Sequence, residues 1–253
     1  MKPSFSIIIP ARNEEKFIRR CIDSIKSVKH KGMLEIIVVD NSSTDNTSKI
    51  AGSTGVKVYK EERVGVSYAR NLGADKAKND YLVFLDADCM LTKFFFYYLT
   101  KIIRNNREQD IFAGPYEIYD GGRFIRYITG KLNYYYWFFR FIKLITGVQS
   151  FSGGNFVIKK EVFNKTYGFN TKIDSILKAE DLEYALRLNS LGYKVYFDKD
   201  LKVFSSFRRV RKSPIYTAIV RSYYSIKLIG KYKLTSKEKL DLLEFFNSNS
   251  HDT

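Results

Sequence analysis

Within the first 85 residues, short apolar runs alternate with helical segments, and few folds accept that pattern. Phe5-Ser6-Ile7-Ile8-Ile9, Glu35-Ile36-Ile37-Val38-Val39, Val56-Lys57-Val58-Tyr59 and Tyr81-Leu82-Val83-Phe84-Leu85 read as strands, the first expected to end at Pro10. Their nearly continuous apolar character fits parallel strands buried on both faces, where no solvent face enforces a polar alternate. Between them, Ile18, Cys21, Ile22 and Ile25 recur at helical spacing. A short helix is expected after Asp40-Asn41-Ser42-Ser43, with Thr44-Asp45-Asn46 supplying its capping chemistry, and another from about Val66 to Ala77. The order β-α-β-α-β-α-β predicts an α/β fold, a mostly parallel sheet flanked by helices.

The second half is less regular. A helix is expected over Leu91 to Ile103, a strand over Ile111 to Tyr119, and a glycine loop, Ser152-Gly153-Gly154-Asn155, before a strand at Phe156-Val157-Ile158. A helix over Asp181 to Leu191 and a strand over Lys194 to Phe197 follow. Pro214 is expected to open a further helix through Leu228, with a frayed tail after Phe246. The division this predicts is an α/β domain over 1–210 and a C-terminal helical, basic and aromatic extension over 211–253. At 45% apolar residues the chain can bury a core, which excludes wholesale disorder and collagen-like sequence. Its two cysteines cannot build a disulfide framework or a Cys-rich zinc site, and no secretion signal is read at the start, so a reducing, cytoplasmic setting is expected.

The net charge of +16 is unevenly placed. Gly121 to Lys160 holds seven basic residues and Leu201 to Lys237 ten, with no acidic residue in either window, so the rest of the chain is close to neutral. These windows are candidates for touching something anionic. The first contains Asn133-Tyr134-Tyr135-Tyr136-Trp137-Phe138-Phe139-Arg140-Phe141-Ile142-Lys143, which its cations interrupt before it reaches the roughly 18 apolar residues of a membrane span. Two readings stand: an interfacial segment on an anionic membrane surface, peripheral on the cytoplasmic face, or an aromatic helix of the core or of a subunit contact. A basic nucleic-acid-binding protein is a rival reading, but it leaves the acidic strand ends unexplained.

In open parallel sheets ligands bind beyond the carboxyl ends of the strands. Here those ends carry Pro10-Ala11-Arg12-Asn13-Glu14, Asp40-Asn41-Ser42 and Asp86-Ala87-Asp88. Asp86 and Asp88, two apart on an extended segment, present their carboxylates on one side. Such a pair suits Mg2+ or Mn2+, or a division of labour between hydroxyl and metal. A nucleotidyltransferase shares this chemistry but normally has a glycine-rich loop after the first strand, which Ala11-Arg12-Asn13-Glu14-Glu15 lacks.

Together with Ala69-Arg70-Asn71, Gly153-Gly154-Asn155 and Glu180-Asp181, these motifs resemble, in order and spacing from about residue 4 to residue 200, a family 2 glycosyltransferase of the GT-A fold. The resemblance implies an inverting transferase that uses a nucleotide-diphospho-sugar, a UDP- or GDP-sugar, and is assisted by Mg2+ or Mn2+. The acceptor it implies is a glycan or lipid-linked one, with no nucleic acid partner. Pro10, Ala11, Arg12 and Glu14 would line the nucleoside pocket, Asp40 would meet the base, and Arg70 would flank the base or diphosphate. Asp86 would touch the ribose and, with Asp88, the metal. Gly154 and Asn155 would lie near sugar and acceptor, and Glu180-Asp181 would be the catalytic pair, with Asp181 the base. Gly154 has an alternative reading as a residue serving a positive φ. The sequence departs from the pattern in one respect: where many relatives have a histidine ligand after the last core strand, it reads Val203-Phe204-Ser205-Ser206-Phe207-Arg208-Arg209. Either the metal relies on Asp88, the diphosphate and water, or Arg208 and Arg209 take over part of the neutralisation.

Overall fold

Alternate residues of a strand point to opposite faces, and in the first strand both sets are apolar. The computed structural model describes residues 2–28, 30, 32–132, 136–137, 139–140, 143–144, 147–172 and 180–208. The proposed extension over 211–253, the helix expected from Pro214, and Arg209 lie outside the described residues. Along the chain run β1 (Phe5–Ala11), α1 (Ile18–Ser27), β2 (Leu34–Asp40), α2 (Thr47–Ser53), β3 (Lys57–Lys60), α3 (Val66–Lys76) and β4 (Tyr81–Leu85). Then come β5 (Cys89–Leu91), α4 (Phe95–Asn105), β6 (Ile111–Ala113), β7 (Tyr116–Ile118) and α5 (Arg123–Arg126), which passes into a π-helical turn at Tyr127–Lys131. They are followed by β8 (Asn155–Lys159), α6 (Lys160–Lys165), α7 (Glu180–Ser190), β9 (Val195–Phe197) and β10 (Val203–Ser205).

Seven strands form one sheet in the order β3-β2-β1-β4-β8-β6-β9. Only β8 runs against its neighbours, so six of the seven strands point their carboxyl ends to the same edge. On one face Phe5, Ile7 and Ile9 pack with Ile18, Cys21, Ile22 and Ile25 of α1 and with Phe95, Phe96 and Leu99 of α4. On the other, Ile8, Ile37 and Val39 pack with Ala69 and Ala74 of α3, Phe156 of β8, and Tyr184 and Leu188 of α7. Helix α1 has no capping side chain at its start. Burial holds it instead, each of its four buried apolar side chains contributing about 2 kcal/mol.

Three local expectations change. Pro10 does not end β1, which continues to Ala11; pairing with β4 stops at Ile8, so Pro10 sits where β1 has one partner strand, β2, and its missing N–H is tolerated. The strand expected over Ile111 to Tyr119 is broken at Gly114-Pro115: β6 joins the large sheet, while β7 turns into a second one. A Cβ at Gly114 would collide with the Leu201 carbonyl, so this crossing requires glycine. The helix expected from Leu91 begins at Phe95, because Cys89–Leu91 is a strand of the second sheet, ordered β5-β10-β7. That small sheet carries the chain after Ser205 back across the carboxyl edge of the large one.

Candidate active site

The loops after β1 and β2 are fastened to each other. Asn13, at φ +55°, accepts the Thr44 N–H through Oδ1 at 2.8 Å and donates its own N–H to Ser43 Oγ at 3.0 Å. The Glu14 N–H donates to Thr47 Oγ1 at 2.7 Å and the Glu15 N–H to Asp45 Oδ2 at 3.2 Å. Burial alone would raise the Asp45 carboxyl, but hydrogen bonds from Thr47 and Glu15 hold it below the usual carboxylate range. Asp40, buried at the end of β2, accepts the Ser43 N–H at 3.3 Å, and Asn41 ties the same turn to the backbone at Arg63 and Gly65. The result is a shaped rim at the ends of β1 and β2, with Pro10 and Ala11 buried beneath it and Arg12 exposed on it.

Behind this rim, two arginines each bridge two carboxylates. Arg70 of α3 is 3% exposed; its Nη1 donates to Glu180 Oε1 at 2.8 Å and its Nη2 to Asp86 Oδ1 at 3.2 Å. Its guanidinium carbon lies 5.0 Å from the centre of the Phe169 ring. One buried side chain thus joins three of the sequence motifs, Ala69-Arg70-Asn71, Asp86-Ala87-Asp88 and Glu180-Asp181. Arg208 lies above, its Nε donating to Asp88 Oδ2 at 3.1 Å and its Nη2 to Glu14 Oε1, with Cζ 4.4 Å from the centre of the Phe17 ring. Burial would favour the neutral form of either arginine, but the carboxylates more than offset it and both guanidiniums stay charged.

The glycine loop lies between these clusters. The Gly153 N–H donates to Asp181 Oδ2 at 3.3 Å, and a Cβ at Gly153 would come within 2.6 Å of the Arg70 guanidinium. A Cβ at Gly154 would collide with the Asp86 carboxylate. Gly154 has no positive φ, so close approach is what requires glycine there. Asp181, in the first turn of α7, also accepts the Leu182 N–H at 2.9 Å. Those two N–H groups hold the carboxylate against the glycine loop. Asn155 points elsewhere, its amide donating to Pro115 O at 3.1 Å and Leu201 O at 3.0 Å, so it ties β8 to the small sheet.

A divalent ion of the Mg2+ or Mn2+ type takes about six oxygen ligands. The residues here offer Asp86 and Asp88, and each already receives an arginine N–H. No group of three or more His, Cys, Asp or Glu that could hold a metal occurs among the described residues. Among the described residues the carboxylates therefore fall short of a complete site for such an ion. His30, one of the chain's two histidines, packs between Phe5 and Phe96 far from the strand ends. Both cysteines are buried, and burial pushes their thiols up, so neither is a nucleophile.

The sequence reading missed the residues that place Arg208. Phe17 stacks beneath it, and Asp120 accepts the Ser206 hydroxyl at 2.5 Å and the Phe207 N–H at 2.6 Å, fixing the turn that leads into it. In the sequence, Asp120-Gly121-Gly122 signals only a turn.

Comparison with known proteins bears on the family and the fold. The profile of "Glycosyl transferase family 2" matches residues 6–167. "Probable glycosyltransferase YdaM" of Bacillus subtilis is 28% identical over 212 residues, 77% of this chain and 49% of that protein. The "4,4'-diaponeurosporenoate glycosyltransferase" of Staphylococcus haemolyticus is 41% identical over 95 residues, 35% of this chain and 25% of that protein. The chain thus spans about half, or less, of the length of these relatives. Among solved structures, Staphylococcus aureus TarS 1-349 in complex with UDP superposes with a TM-score of 0.66 at 20% identity, covering 96% of this chain and 71% of that one. The mannosyltransferase PcManGT from Pyrobaculum calidifontis, in complex with GDP-Man and Mn2+, superposes with a TM-score of 0.63 at 16% identity, covering 99% and 81%. These likenesses show a shared fold, a mostly parallel sheet flanked by helices of the GT-A type. With the profile match over more than half its length, the chain belongs to glycosyl transferase family 2.

Proposed function

We propose that this chain transfers a sugar from a nucleotide-diphospho-sugar, a UDP- or GDP-sugar, to an acceptor hydroxyl or phosphate with inversion at the anomeric carbon. The observation that carries the reading is the glycine loop: Asp181 is bonded to Gly153 on one side, and the Asp86 carboxylate lies against Gly154 on the other. A general base and the leaving-group side thus sit at two ends of one short loop. With a hydroxyl acceptor, its oxygen forms a bond to the anomeric carbon while the bond to the diphosphate oxygen breaks. The electron pair of that bond leaves on the diphosphate, and the hydroxyl proton passes to Asp181. Asp40 and Glu14, at the ends of β2 and β1, serve the nucleoside, and Asp86 and Asp88 face the ribose and diphosphate. The Mg2+ or Mn2+ expected from the resemblance has no completed site in these residues, and no step is assigned to it.

A thermal-shift panel of UDP- and GDP-sugars, with and without Mn2+, tests the reading. Binding to the folded state alone raises the melting temperature, so at least one donor should raise it. No shift with any donor contradicts the reading.

The acceptor side of the reading is an anionic membrane surface bearing a lipid-linked or glycan acceptor. Phe124, Trp137 and Leu144 are 72%, 63% and 82% exposed, among the exposed cations Arg123, Arg126, Arg140 and Lys143. Tyr136 and Phe139 instead pack on Phe197 of β9, with ring centres 5.9 and 5.2 Å apart, so one part of the aromatic run anchors the other part outward. No helix among the described residues is long and apolar enough to cross a membrane. Sedimentation with anionic vesicles at low salt, reversed by salt, is expected, since each Lys or Arg near such a surface contributes about 1 kcal/mol; absence of binding at low salt contradicts this part.

A further inference from the structure

We propose that Arg208 supplies the positive charge met by the departing diphosphate, in the position a divalent ion would otherwise fill; this rests on the glycosyl-transfer reading above. The cation at Asp88 is a guanidinium, held from several directions. Nε donates to Asp88 at 3.1 Å, Nη2 donates to Glu14, the Phe17 ring lies beneath, and Asp120 fixes the preceding turn through Ser206 and Phe207. These contacts leave the two N–H groups of Nη1 donating to no described residue, and the side chain is 29% exposed. Arg70, with both Nη atoms engaged and 3% exposure, has nothing comparable to offer a ligand.

A guanidinium fork matches phosphate oxygens and needs no reorganisation once it is fixed. As the bond between the anomeric carbon and oxygen breaks, its electron pair stays on the diphosphate, which gains one negative charge. Hydrogen bonds from Nη1 strengthen with that charge, and Arg208 gives up no proton. The geometry has a second consequence. Glu14 and Asp88 lie close enough for one guanidinium to span them, so removing it leaves two neighbouring carboxylates, the arrangement a divalent ion seeks. An Arg208→Ala variant should therefore acquire a metal requirement that the unaltered protein lacks.

The experiment uses the full chain and measures UDP and GDP affinity by calorimetry and donor turnover, each in excess chelator and in Mn2+. The unaltered protein should bind and turn over in chelator. Arg208→Ala in chelator should lose turnover by about 10²-fold, the loss typical of one charge-stabilising donor, with weakened diphosphate binding, and Mn2+ should restore much of both. Arg208→Lys, which keeps the charge without the fork, should fall between, and it carries the test if the alanine variant does not melt like the unaltered protein. Turnover by the unaltered protein that is abolished by chelator and restored by Mn2+ overturns the proposal, as does an Arg208→Ala variant, or failing that an Arg208→Lys variant, that binds and turns over normally in chelator. Failure of the unaltered protein to bind any nucleoside diphosphate or donor, with or without Mn2+, overturns the transfer reading itself.

Discussion

Arg70 and Arg208 make the same interaction in two different places. Each bridges two carboxylates, one of them from Asp86-Ala87-Asp88, and each lies over an aromatic ring. Arg70 is enclosed, held by α3, the end of β4 and the start of α7. Arg208 is partly open, its side chain 29% exposed. Burial, rather than residue type or partner, separates a structural knot from a cation that a ligand can reach. A buried ion pair contributes little net stability by being formed, but losing one partner strands the others. An open one loses less when cut, because water can take over.

The largest effect expected from this contrast is on stability. Arg70→Ala leaves the Asp86 and Glu180 carboxylates buried without their guanidinium, which should cost about 3–5 kcal/mol in urea unfolding. Arg208→Ala should cost clearly less; equal losses would break the distinction. Gly154→Ala comes next. Its methyl group would force the Asp86 carboxylate off Arg70, at about 1–3 kcal/mol for overpacking, and donor binding should fall along with stability. A variant with unaltered melting temperature and affinity would show that the loop is not tightly packed against Asp86. The smallest effect is at Asp120, which is exposed and accepts hydrogen bonds from the turn before Arg208. Asp120→Ala should leave the urea midpoint nearly unchanged while weakening diphosphate binding a few-fold. Wild-type affinity in that variant would mean the turn does not place Arg208.

How much of this was legible in the sequence follows the range of each interaction. The strands of the parallel half were readable because a strand buried on both faces is a continuous apolar run, and Tyr81–Leu85 is found as expected. No strand was expected at β5 or β10, each three residues long, and β7 was read as the continuation of β6, so the small sheet went unseen. The acidic and glycine motifs were visible as residues, but their division of labour was not. Arg70 was expected beside the base or diphosphate, and its bond to Glu180, 110 positions away, could not be read from the sequence. Arg208 was noticed because it stands where many relatives have a histidine ligand, yet its partners Asp88 and Glu14 lie 120 and 194 positions away in sequence. Asn155 looked like part of the sugar loop, and only the fold reveals the two carbonyls that occupy its amide.

The central claim, glycosyl transfer with Asp181 as base, is tested most directly by Asp181→Asn assayed for donor affinity and turnover in the same preparation. Asp181 receives the Leu182 and Gly153 N–H groups on separate oxygens, so the amide keeps one of these two bonds and cannot take a proton. Donor affinity should match the unaltered protein and the melting temperature should fall only slightly, by the loss of one hydrogen bond, while turnover falls by about 10²-fold or more, the range of a lost general base. Undiminished turnover, or loss of donor binding and fold together, would contradict the assignment.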